Sequence, residues 1–156
     1  VRTLRRFHAL RRQFHVRADE VHHLLVIGAR ELVRTLNVQA DENLITQGKT
    51  LFQTKICFTC HQVDPAVPAP AGMALKAPTF LGDFWGKERE VHKGLGGPII
   101  KVKLDDEYFI ESLKKPLDKV VKGALAPMPP PPPVTDAEVK ALLAYVKSLS
   151  KAEKKK

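Results

Sequence analysis

This sequence has few cysteines, no long apolar run and fewer acidic than basic residues, and each of these features excludes a class of protein or points to a kind of partner. Two cysteines among 156 residues cannot build a disulfide-rich scaffold or a four-cysteine zinc site. Apolar runs such as Leu24–Ile27 are far shorter than the roughly 20 residues that cross a bilayer, so no transmembrane segment is expected. The 17 acidic residues face 26 basic ones, and the net charge of +9 indicates partners with acidic surfaces.

Both cysteines lie in one motif, Cys57-Phe58-Thr59-Cys60-His61. A Cys-x-x-Cys-His run is the attachment signature of a c-type haem, in which the thiols add to the porphyrin vinyl groups and the histidine binds the iron. A zinc site would need more ligands at similar spacing, and a thioredoxin-like redox pair would need a surrounding βαβ pattern. Neither pattern is found here. The motif therefore predicts one covalent haem c, anchored by Cys57 and Cys60 and ligated by His61.

The second axial ligand of the iron is expected downstream, where the sequence offers Met73 and Met128. Met128 lies between Pro127 and Pro129, and four more prolines follow. A thioether ligand raises the iron potential, and flanking prolines stiffen the backbone that must hold this weak bond. We therefore predict Met128, because Met73 follows His61 too closely. A proline run is also typical of a polyproline linker or of a ligand for an aromatic groove.

Two more residues are predicted to serve the haem. The proline- and alanine-rich loop after His61 is expected to be irregular, and Pro78 within it is stiff and has no N–H. Its carbonyl is a candidate acceptor for the second ring nitrogen of His61. Trp85 either donates its indole N–H to a haem propionate or packs in the core. His92 is expected to be solvated rather than a ligand.

Residues 1–40 differ from the rest of the chain, since they hold eight of the nine arginines, four of the six histidines and no lysine. Their apolar residues recur at roughly helical spacing, which predicts one helix or two. An arginine-rich arm of this kind is typical of a segment that lies against another protein. Lipid headgroups and a solvated basic tail are the alternatives. The apolar set comprises Leu4, Phe7, Leu10, Phe14, Val21, Leu24, Leu25, Leu32 and Leu36.

The adjacent His22 and His23 could suggest a second ligand pair within this arm. Neighbouring residues point in different directions on a helix, which disfavours that interpretation.

The first helix of the second region is predicted to begin at Asp41, a candidate N-cap. It would carry Leu44, Gly48, Leu51 and Phe52 on one face and run into the haem motif. A glycine is costly inside a helix, so Gly48 indicates that another element packs very close to it.

Later segments give clear local signals. Residues 86–104 alternate like a β-hairpin around a glycine-rich turn. Asp105 or Asp106 begins a short helix that must stop near Lys115, because Pro116 disfavours helical geometry before it. The stretch from Thr135 to Glu138 is a capping box for a C-terminal helix, which ends in the lysine-rich tail 151–156.

On these residues, positions 41–150 resemble a class I cytochrome c. The stretches around Tyr108–Leu113, Lys119–Gly123 and Pro127–Pro129 are similar to the cytochrome c domain of caa3-type oxidase subunit II, and equally to the monohaem subunits of alternative complex III. An oxidase subunit II also has a copper-binding cupredoxin part, which is absent here. The arm has no counterpart in simple soluble carriers, which favours a small subunit tethered to a larger assembly.

The resemblance implies a role for each matching residue. Cys57 and Cys60 would be the thioether anchors, His61 the proximal ligand and Met128 the distal one, while Pro78 would orient His61. The helix face with Gly48 and Phe52 would cross the last helix near Tyr145.

We therefore expect an all-α domain wrapped around one haem, with a small β-hairpin and an N-terminal helical arm. A six-coordinate iron has no open position for a substrate, so one-electron transfer is expected rather than enzymatic chemistry. The expected partners are subunits of a membrane-bound respiratory or photosynthetic complex, contacted through residues 1–40, and redox proteins at the haem edge. No nucleic-acid partner is expected, because no nucleic-acid motif accompanies the charge.

The expected location is extracytoplasmic, on the periplasmic face of a membrane. No secretory leader is visible at Val1–Arg6, so either a leader has been removed or the chain begins inside its gene product. The alternative functions are a freely diffusing carrier and, less favoured, a haem enzyme or gas sensor with an open iron.

Overall fold

A computed structural model describes residues 18–152, with the side chains of residues 26–150. The predictions for the start of the arm, including Leu4 to Phe14, and for most of the lysine-rich tail lie outside these residues. By its internal contacts the chain divides into two compact units, Val1–Ala40 and Asp41–Lys156. The helices are α1 (Ala18–Thr54), α2 (Pro70–Leu75), α3 (Asp106–Lys114) and α4 (Asp136–Ala152), and the strands are β1 (Glu88–Lys93), β2 (Ile99–Lys103) and β3 (Lys119–Val121).

The first helix corrects one prediction, because Asp41 is not an N-cap. Helix α1 runs without a break from Ala18 to Thr54 and carries Asp41 in its interior. A cap requires a non-helical residue, whereas Leu36 to Ala40 contain no glycine or proline to interrupt an existing helix. Within the described residues this also decides that the arm's helix is a single one.

The second unit is built on a crossing of α1 and α4. Its main core combines Phe52 of α1 with Leu142, Tyr145 and Val146 of α4, and Phe80 and Phe109 complete it. A methyl group on Gly48 would lie 2.0 Å from the carbonyl oxygen of Ala141 and 2.6 Å from Cβ of Tyr145. The predicted close approach at this glycine, beside Tyr145, is confirmed.

The expectation of an all-α fold with a small β-hairpin is only approximate, since a third strand extends the hairpin to an antiparallel sheet in the order β2-β1-β3. The predicted hairpin is confirmed as β1 and β2, with Val91 opposite Ile100. Strand β3 pairs on the other side of β1, with Val91 opposite Val121. Three residues are too few for an alternating pattern, so β3 could not be predicted from periodicity. Val91, Leu104 and Tyr108 form a second, smaller core beneath this sheet.

The helix boundaries predicted from local signals are confirmed for α3 and α4. The Asp105 carboxylate accepts the Tyr108 N–H at 3.0 Å, and α3 stops at Lys115 before the proline. The Thr135 hydroxyl accepts the Glu138 N–H, while the Glu138 carboxylate accepts the Thr135 N–H, which is the reciprocal capping box.

The loop after His61 is less irregular than expected, because Pro70 begins the short helix α2. Proline is favoured in the first turn of a helix, where its missing N–H costs no hydrogen bond. None of the helices within residues 18–152 is both long and apolar enough to cross a membrane.

Candidate haem site

The cysteine motif forms a single tight turn at the end of α1. Ile56 adopts φ of 56°, a left-handed conformation that β-branched residues rarely occupy, and the chain then enters a 3₁₀ turn over Cys57–Thr59. The N–H groups of Cys60 and His61 both donate to the carbonyl of Cys57, at 3.2 and 2.9 Å. This turn brings both thiols and the imidazole to one wall of a cleft.

His61 is held by the segment that follows the proline- and alanine-rich loop. Its Nδ1 lies 2.8 Å from the carbonyl oxygen of Pro78, so the predicted hydrogen bond is present. A carbonyl can only accept, so Nδ1 carries the proton and Nε2 keeps its lone pair. The ring also stacks on Phe80 with 5.0 Å between centroids, and the Phe80 N–H donates to the Gln62 carbonyl. The imidazole is thus fixed in both tautomer and orientation.

Burial favours the neutral form of His61. Removal from water lowers its pKa, a hydrogen bond to Pro78 opposes this, and the Arg89 charge lowers it further. A neutral imidazole is the form that binds a metal. Burial likewise raises the pKa of the Cys57 thiol.

Gly72 supports the motif from α2, and sequence reasoning missed this. A methyl group at Gly72 would lie 1.8 Å from the carbonyl oxygen of Cys60. Helix α2 therefore reaches the motif backbone only because this residue has no side chain. A glycine inside a proline- and alanine-rich stretch was the available signal.

Met128 lines the same cleft as the motif. The cleft lining includes Cys57, Cys60 and His61, and it also includes Met128 and the prolines around it. Met73, the rejected candidate, is 65% exposed and does not line the cleft. The structure therefore brings together four of the residues that the sequence singled out, and Pro78 also lines this cleft.

Trp85 and His92 lie elsewhere. Trp85 is not among the cleft-lining residues; it packs between the two cores, 6.1 Å from Phe109 between ring centroids. His92 is half-buried rather than fully solvated, and its Nδ1 lies 2.9 Å from the Gly97 carbonyl at the hairpin turn.

The charged residues of the cleft lining are all cations, namely Lys55, Arg89 and Lys119. Arg89 comes from β1, and its guanidinium lies 5.9 Å from the centre of the Tyr108 ring. Among the described residues its charge is not matched by an ion pair with a carboxylate. The sequence did not single out Arg89, although it is the one arginine after residue 40.

These features suit a c-type haem. The cleft offers two thiols, an oriented neutral imidazole, a thioether and apolar walls that include Phe109, Leu142 and Val146. Arg89, whose charge no carboxylate among the described residues pairs with, suits one of the carboxylates that a haem carries, whereas Lys55 and Lys119 are already paired with Glu138 and Glu111. The donor set of nitrogen and sulfur is one that haem iron accepts.

Fold and site together define a monohaem c-type protein. The family model described as cytochrome c matches residues 45–150. The chain therefore belongs to the cytochrome c family, whose domain binds a covalent haem c and transfers electrons through it. No curated protein matches the sequence.

Proposed function

We propose that this chain is the haem-carrying electron-transfer subunit of a membrane-bound respiratory or photosynthetic complex, on the periplasmic side of the membrane. The observation that carries the proposal is an exposed apolar face on the described part of the arm. Leu32, Val33 and Leu36 have 61%, 56% and 58% of their surface exposed. A soluble carrier gains nothing from such a face, whereas a subunit can bury it against a partner.

The spacing of this face favours a protein partner over lipid. Val26, Ala29, Val33 and Leu36 follow one another at intervals of three, four and three residues. Apolar residues at alternating spacings of three and four form the contact seam between paired helices. Arg30 lies beside the seam and would reach a carboxylate on the partner helix. A second copy of this chain is the competing occupant, and the size of the native particle separates the two.

Within the haem unit we assign roles by position around the cleft. Cys57 and Cys60 anchor the haem, His61 is the proximal ligand and Met128 the distal ligand. Pro78 fixes the proton of His61 on Nδ1, so Nε2 is free for the iron. Arg89 lines the cleft without a carboxylate partner among the described residues and would face a haem carboxylate, whereas Lys119 on the same lining donates to Glu111. The packing of Trp85 between the cores favours a structural role for it.

When bound, haem c supplies an iron that cycles between Fe(II) and Fe(III). His61 and Met128 would hold this iron, the aromatic core behind His61 would exclude water, and the thioether and the Pro78 hydrogen bond would set the potential. Exposed lysines around the unit select partners with acidic surfaces. An electron carrier is the function that this arrangement supports, rather than an enzyme.

The test of axial ligation is the visible spectrum of the purified holoprotein. Sulfur coordination gives the oxidised form a weak band at the red end, and two filled positions leave reduced protein unable to bind carbon monoxide. Carbon monoxide binding by the reduced protein as isolated would instead favour an enzyme or sensor with an open iron.

The test of the complex is the native particle that carries the chain in its host's membranes, after mild detergent extraction. Co-migration with large membrane subunits is expected. A small monomer released without detergent would support the freely diffusing carrier, and a particle of two identical chains would assign the seam to self-association.

A further inference from the structure

The Lys55 side chain joins the two segments that carry the assigned iron ligands. It lies two residues before Cys57, and its Nζ donates to the carbonyl of Pro133 at 2.7 Å. The same Nζ lies 3.2 Å from Oε1 of Glu138, in the first turn of α4. Pro133 ends the proline run that begins directly after Met128. One ammonium group therefore connects the histidine-bearing turn to the methionine-bearing loop.

The proline run needs such an anchor because it cannot supply its own. Residues 129–133 are all proline, so they have no backbone N–H and can be held only through their carbonyls. A run of this kind is stiff and extended, with about 3.1 Å per residue. Fixing its far end at Pro133 therefore restricts where Met128 can lie, about 15 Å away.

Glu138 holds the lysine in place. Its Oε2 accepts the Thr135 N–H at 2.7 Å, so the capping box orients the carboxylate that Lys55 contacts. The Lys55 side chain is only 19% exposed, whereas in the pair between Lys114 of α3 and Asp136 of α4 the side chains are 48% and 84% exposed. A shielded and pre-oriented pair is stronger than an open surface pair.

We propose that Lys55 is a positioning residue that keeps the Met128 loop closed over the haem, with Pro133 and Glu138 as its two attachment points. The inference rests on the proposed ligation of the iron by Met128. Without the lysine, the loop would open more readily and the sulfur would leave the iron more often.

The test is imidazole binding by the oxidised holoprotein, because added imidazole competes with the methionine sulfur and its affinity measures how easily the loop opens. Lys55→Met should bind imidazole about tenfold more tightly, since a charged hydrogen bond and an ion pair are both lost. Glu138→Gln keeps the capping box, which accepts glutamine, and loses only the ion pair, so about a threefold gain is expected. Lys55→Arg should restore affinity to within about twofold of the wild type.

The matched control is Lys114→Met, which breaks the neighbouring pair with Asp136 but does not contact the proline run. It should leave imidazole affinity unchanged. Equal affinity in the wild type, Lys55→Met and Glu138→Gln would overturn the proposal, even if stability fell. If Lys55→Met impairs haem attachment, Glu138→Gln decides alone, because it leaves the motif segment untouched. A wild-type spectrum without the red band of sulfur coordination would instead show that Met128 does not bind the iron. That outcome would contradict the proposed function, whereas unchanged imidazole affinities contradict only the role of Lys55.

Discussion

The two ends of helix α1 have the same secondary structure and opposite surroundings. Toward its C-terminus, Phe52 is 3% exposed and Gly48 touches the backbone of α4. Toward its N-terminus, Leu32 and Leu36 are exposed, and a methyl group on Gly28 would meet no other element of the described residues within 4 Å. A helical pattern alone therefore does not reveal which segment belongs to a core.

The two segments of α1 therefore differ in how far their apolar residues are buried. The segment 41–54 gains its stability from burial against α4, and that packing sets the base of the haem motif. In the described part of the arm, Leu32, Val33 and Leu36 are exposed, so these side chains contribute little burial. Substitutions of the same chemistry at the two ends should consequently have unequal effects.

The largest contrast is expected between Phe52→Ala and Leu36→Ala. Loss of the buried ring removes contacts with Phe80 and Tyr145 and should cost about 3–5 kcal/mol of unfolding free energy. Leu36→Ala should stay within about 0.5 kcal/mol. Guanidinium unfolding followed by the fluorescence of Trp85, the single tryptophan, measures both. Equal losses would show that the arm's apolar residues are part of a core.

A second contrast comes from the two helical glycines. Gly48→Ala places a methyl group against the Ala141 carbonyl and should destabilise the haem unit by about 3 kcal/mol, the upper part of the range for overpacking. Gly28→Ala meets no neighbour and should strengthen the helix by up to about 1 kcal/mol. Thermal unfolding by far-ultraviolet circular dichroism compares the variants, and an unaffected Gly48→Ala would contradict the close crossing.

Some of this architecture was predictable because its causes are local. The capping box at Thr135, the stop at Lys115 and the candidate carbonyl at Pro78 each depend on a few adjacent residues or on one chemical requirement of an imidazole. Gly48 was informative because a glycine in a helix has a cost that packing must offset.

Other features depend on contacts that no short segment encodes. Asp41 has the chemistry of a cap but lies in a helix that nothing interrupts. Strand β3 forms because β1 already offers an edge, and Arg89 reaches the cleft because that same sheet carries it there. Periodicity describes a residue's own element, whereas these positions are decided by its neighbours in space.

A smaller effect concerns the start of α4 and depends on pH. The Thr135 N–H and then Lys55 hold the pKa of Glu138 below its ordinary value of 4.5. A lowered folded pKa means that the carboxylate stabilises the fold above pH 4.5 and that this contribution is lost as pH falls through the folded value. The stability gap between wild type and Glu138→Gln should therefore be present at pH 7 and shrink toward pH 3.

Unfolding midpoints in guanidinium at several pH values measure this gap. Glu31→Gln, on the exposed arm, is the matched neutralisation and should leave the midpoint of the haem unit unchanged. If the difference in stability between the wild type and Glu138→Gln grew as the pH fell, the pKa of Glu138 would be raised rather than lowered on folding. That result would contradict the assigned hydrogen bonds.

The smallest expected change in stability belongs to the arm, and it comes with a large expected change in assembly. The double variant Leu32→Ser/Leu36→Ser removes two exposed residues from the apolar side of α1. The control double variant Ile27→Ser/Val38→Ser removes two exposed residues from the opposite side. Both double variants should unfold like the wild type, because neither pair is buried. Only the first should release the chain from its native complex, since the seam of Val26, Ala29, Val33 and Leu36 lies on that side. Release by both pairs would mean that general hydrophobicity, as at a lipid surface, holds the arm rather than one helix face.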